Sequence, residues 1–216
     1  MYKFNDSFFE NEYNRYLEIK DKGLKKQANK ILENLMLYFD NLDTEIKNAI
    51  CEEFCILRFE KEVIQDFQFF LSTRILEFLR DACLQNIMPH LRWYYQMTGD
   101  FELLEKTYNH LGCDDETIKS MCNYYLNYLW HGSHHFPEYC LIEKEESCDL
   151  LRKVQTLIQK HGSILKEETE DYLHFEQIYG DWWTYKYENP NYSFDEWCIE
   201  HNRKYSWVAA YYYETK

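Results

Sequence analysis

The sequence predicts an all-α protein: an irregular stack of antiparallel helical hairpins, arranged as a short helical-repeat solenoid or a multi-helix bundle. Three observations carry that expectation. Apolar residues recur at spacings of three and four almost throughout, no long segment alternates with period two, and capping and stopping residues punctuate the runs where helices should begin and end.

Taken in order, Ser7-Phe8-Phe9-Glu10 fits the Ser-x-x-Glu capping box, in which each side chain satisfies the other residue's exposed backbone donor. Leu24, Ala28, Ile31, Leu32, Leu35, Phe39 and Leu42 form one apolar stripe, so Tyr16 to Leu35, turning at Gly23, reads as a helix–turn–helix. Asp43 precedes a second stripe of Ile46, Ala49, Ile50, Phe54 and Leu57, where a short carboxylate can accept first-turn N–H groups. Pro89 is expected to end or bend the segment from about Val63 to Met88. Trp93 to Glu105, broken by Gly99-Asp100, resembles a unit of a tetratricopeptide-like array, although no fixed period relates it to the earlier hairpin. Asp114 opens a third stripe through Ile118, Met121, Cys122, Tyr125, Leu126 and Leu129, and Leu150, Leu151, Val154, Leu157 and Ile158 make a fourth. Gly23, Gly112 and Gly162 stand where left-handed helix stops are usual, and Ser193-Phe194-Asp195-Glu196 is a second capping box. The chain is expected to form a single helical domain over 1–216, divisible into hairpins at 1–130 and an acidic, aromatic-rich half at 138–216.

Charge narrows function. With 24 basic and 38 acidic side chains the formal charge is −14, which disfavours direct nucleic-acid binding through a basic surface. Apolar residues make up 45% of the chain and 40 residues are aromatic, which excludes a disordered class. No run approaches the roughly 18 apolar residues of a membrane span, and Met1 to Asp6 carries no secretory pattern, so the expected location is cytoplasmic and no membrane partner is expected. In that compartment the eight cysteines read as reduced thiols acting as small apolar residues.

Little argues for catalysis. His131, His134 and His135, followed by Cys140 and Cys148, are ligand types for zinc, but their spacing matches no zinc pattern, so neither a metal nor another cofactor is implied. Tyr128-Leu129-Trp130-His131-Gly132-Ser133 resembles the nicotinamide-binding strand of poly-ADP-ribose polymerases. That resemblance implies that His131 and Gly132 hold a nicotinamide ribose and amide. It covers about six residues, lacks the family's downstream Gly-rich segment, and falls where the periodicity reads helix. Adjacent glutamates at 52–53, 145–146 and 167–168 point to different helix faces, a poor arrangement for paired acid–base work.

Residues 101–216 carry a net charge of −10, and 15 aromatic residues lie between Tyr172 and Tyr213. Asp181, Trp182, Trp183, Tyr185, Tyr187, Glu188 and Trp197 are therefore the expected partner-binding residues, since amphipathic rings dominate binding hot spots. The expected partner is a basic protein, a toxin or nuclease. In character the chain resembles the immunity proteins of bacterial polymorphic toxin systems, which cover the cleft of a cognate toxin. Alternatives are a phage or viral inhibitor of a host defence nuclease, a nucleotide-directed enzyme using the His131–His135 loop, and a peptide-binding helical-repeat scaffold.

Overall fold

The computed structural model describes residues 3–64 and 69–207. Among them are ten α-helices and no strand: α1 (Ser7–Asp21), α2 (Lys25–Asp40), α3 (Thr44–Cys55), α4 (Phe69–Leu84), α5 (His90–Thr98), α6 (Phe101–Tyr108), α7 (Asp115–Ser133), α8 (Lys144–His161), α9 (Lys166–Glu188) and α10 (Phe194–Glu200). The helices pack as bundles, and their lengths, from 7 to 23 residues, define no constant repeat. The chain divides into two compact units, Met1–Leu103 and Leu104–Lys216, each described by itself below. Residues 131–140 lie within the second unit, where Phe136 stacks on Trp182.

In the first unit α1 packs on α2, α3 on α4, and α4 on α5. The helix start expected at Ser7 is capped one residue earlier: Asp6 Oδ1 accepts the Phe9 N–H at 2.7 Å. Glu10 reaches back to the Phe4 N–H at 2.9 Å and so draws Phe4 over the helix end. There the Phe4 ring meets Phe9 and Phe54 with centroids 5.2 and 4.7 Å away. Polar ties hold the rest in register. Arg74 Nε donates to Asp40 at 2.7 Å, joining α4 to α2. Glu60, in a π-helical turn at Ile56–Glu60, accepts both Arg92 Nη2 and Trp93 Nε1 at 2.6 Å. Pro89 stands at the N-cap of α5, five residues beyond the end of α4, where its ring predicted a break. Gly99 ends α5 in the left-handed conformation at φ 68°.

In the second unit α7, α8 and α9 each pack against the other two, and α10 packs on α9. Asp114 caps α7, accepting the Thr117 N–H at 2.9 Å. The Ser193–Glu196 box opens α10 as the sequence predicts, with the Ser193 N–H donating to the Glu196 carboxylate at 2.9 Å. Gly162 instead keeps right-handed backbone at φ −59°, since α8 runs out into a turn closed by the Ile164 N–H on His161 O. The Tyr179 hydroxyl crosses from α9 to donate to Leu129 O at 2.6 Å in the buried centre.

All eight cysteines are free. Burial pushes the Cys51 and Cys122 thiols up to about 12, so both stay protonated and behave as apolar filling. No helix among the described residues is long and apolar enough to cross a membrane.

Candidate functional site

Of the seven residues expected to form a contact surface, three are buried, two half-buried and two exposed. α9 continues unbroken from Lys166 through Gly180 to Glu188, and stops only when Asn189 turns left-handed before Pro190. On a continuous helix Tyr172, Phe175, Tyr179 and Trp182 share one face, and that face is buried. Trp182 is 1% exposed, stacked on Phe136 at 4.6 Å and edge-on to Phe194 at 5.0 Å. Trp197 is 2% exposed, with its ring over His201 and its Nε1 donating to Glu188 at 2.6 Å. Asp181, 7% exposed, accepts Arg203 Nε at 2.9 Å and the Tyr205 hydroxyl, anchoring the chain beyond α10. These three residues, offered as contacts, instead hold the fold together. Trp183 is half-buried and donates to Ser147 Oγ at 2.9 Å; Tyr185, also half-buried, donates to Tyr192 O at 3.0 Å. Only Tyr187, 88% exposed, and Glu188 present themselves to solvent.

Exposed rings gather instead at the end of α7. The buried stripe of that helix uses Met121, Cys122, Tyr125, Leu126 and Leu129, which turns Tyr128, Trp130 and His131 outward. Beyond the last turn the rings continue as a ladder. Trp130 lies nearly parallel to His134 (17°, 5.4 Å), His131 to His134 is 5.1 Å, His134 to His135 is 4.1 Å, and His135 is parallel to Tyr139 (16°, 4.5 Å). The two ends remain open, Trp130 at 53% and Tyr139 at 44% exposed. His134 Nδ1 stands 2.6 Å from His131 O, and because a carbonyl oxygen only accepts, that nitrogen carries the hydrogen.

Three features hold the ladder still. Phe136, buried between the outward His135 and Tyr139, is the ring stacked on Trp182. The Leu141 N–H donates to Gly132 O at 2.9 Å, returning the chain past the end of α7. Gly132 itself is buried so tightly that a Cβ would lie 2.7 Å from Ile142 Cδ1 and strike the Tyr179 hydroxyl. That packing explains why a glycine follows His131. It also corrects the nicotinamide-site resemblance: Trp130 to Ser133 are the last turn of a helix, not a strand.

Carboxylates follow the rings along the chain. Glu138 immediately precedes Tyr139, and Glu143, Glu145 and Glu146 open α8. The Glu146 carboxylate raises the pKa of the Tyr128 phenol. Beside them α8 and α9 enclose a groove of about 380 Å³ lined by Lys144, Cys148, Glu176, Gly180, Trp183 and Tyr187. No three His, Cys, Asp or Glu side chains among the described residues converge as a metal ion would require.

Trp130 and Tyr139 were absent from the sequence-based site. The readable signal was that Tyr128 and Trp130 fall off the α7 stripe, whereas Trp182 falls on the α9 stripe. Fold and site together define an acidic all-α protein with a preformed, solvent-facing aromatic–imidazole surface. Neither protein-family profiles, nor curated proteins, nor solved structures match this chain.

Proposed function

We propose that this chain is an interaction protein of the immunity type, which binds and blocks a basic protein such as a nuclease toxin through the ring ladder of its second unit. One observation carries the reading: the exposed rings of Trp130, His131 and Tyr139 lie in the unit with 20 acidic and 11 basic residues. A field of that sign accelerates encounter with a cationic surface and repels phosphate backbones. Tyr and Trp then supply desolvated contact area at small conformational cost. Because Phe136 anchors the ladder, little ordering entropy is lost on docking.

The test is protection. Cells producing a basic nuclease toxin encoded beside this gene should survive when the chain is co-produced. Survival should fall with a Trp130→Ala/Tyr139→Ala variant that keeps its helical circular dichroism. Undiminished protection by that variant removes the ladder from the reading, and an absence of protection by the natural chain removes the immunity role.

A further inference from the structure

Resting on the binding role just proposed, we infer that the ring ladder at the end of α7 reads arginine rather than lysine, so that its occupant is an arginine-bearing surface of a basic protein. The charge of the second unit attracts either cation equally; the shape of the ladder does not. Trp130 and Tyr139 end the row, each nearly parallel to its own imidazole neighbour at 17° and 16°, with a 45° tilt between His134 and His135, and each end ring is about half open to solvent. A guanidinium is planar and weakly hydrated, and it extends such a row as one more layer. An ammonium has no plane and keeps its water.

The polar groups around the ladder favour the same choice. His134 donates through Nδ1 to His131 O, which fixes the orientation of that imidazole in the row. The exposed carboxylates of Glu143 and Glu145, which follow the ladder in the chain, can take the guanidinium fork bidentately, a geometry lysine does not offer. A nucleic-acid base would stack on the same rings, but its phosphates would meet a unit of net charge −9.

The experiment compares fluorescein-labelled nona-arginine and nona-lysine peptides, titrated with the full chain at about 0.1 M salt, where long-range attraction is partly screened. Nona-arginine should bind at least about tenfold more tightly. The Trp130→Ala/Tyr139→Ala variant should bring the two affinities together, while Trp130→Phe, which keeps a ring face, should retain most of the difference. Equal affinities for the natural chain, or a preference that survives loss of both rings, overturn the arginine assignment and leave the basic-partner reading standing. Failure of both peptides to bind overturns that reading itself. Should the double variant lose its helical signal, the natural protein decides alone. Arginine methyl ester should shift the Trp130 indole N–H resonance and lysine methyl ester should not, and equal shifts overturn the assignment.

Discussion

Burying a carboxylate is costly unless a cation and hydrogen-bond donors replace its water. Asp181 meets both conditions through Arg203 and Tyr205, which makes it a tether for residues 203–207 rather than a surface charge. Asp181→Ala should therefore lower stability by about 1–3 kcal/mol, toward the lower end because Arg203 is already near solvent. Urea unfolding measures the loss, and limited proteolysis should cut the chain beyond α10 sooner. His90 makes a prediction of opposite character. It packs edge-on against Phe78 and Trp93, its Nδ1 has no partner, and burial pulls its pKa below the ordinary 6.5. The unfolded chain thus takes up this proton first as acid is added. The neutral ring's contribution is complete above pH 6.5 and is lost as pH falls from there through the lower folded value. Chemical denaturation at stepped pH should show that decline, and His90→Phe should flatten it.

At the scale of elements, α9 marks where local reading stops. Gly180 and the dense rings around it make the segment look like a broken surface loop, yet the helix runs through. Gly180 faces open space, with nothing within 4 Å of where a Cβ would stand. The glycine therefore costs only backbone entropy, and burial of Tyr179 and Trp182 outweighs it. Gly180→Ala should raise stability by about 0.5–1 kcal/mol, seen as a higher urea midpoint with unchanged slope. A lower midpoint would mean that the backbone there is strained. Caps were more legible: Asp114 and Ser193 act where their side chains predicted, since an N-cap depends on residues three apart in sequence. The cap at Asp6 instead of Ser7 shows the limit, because two competent neighbours differ only in which one the following backbone reaches.

For the whole molecule, ring exposure in the second unit differs from what composition alone indicates: Trp130 and Tyr139 are open, and Trp182 and Trp197 are buried. The net negative charge of that unit predicts that nona-arginine binding weakens as salt rises from about 50 to 300 mM, and that Trp130→Ala lowers affinity without changing that slope. A slope of zero would separate the charge from the binding role. By itself the sequence determined the all-α class, most helix starts and the sign of the surface potential, because these depend on residue spacing along one chain and on a sum of charges. Only the tertiary structure decided which rings are buried. The two indoles of Trp130 and Trp182 are chemically alike, and their fates differ because α8 and α9 cover one side of α7 while Phe136 folds under Trp182.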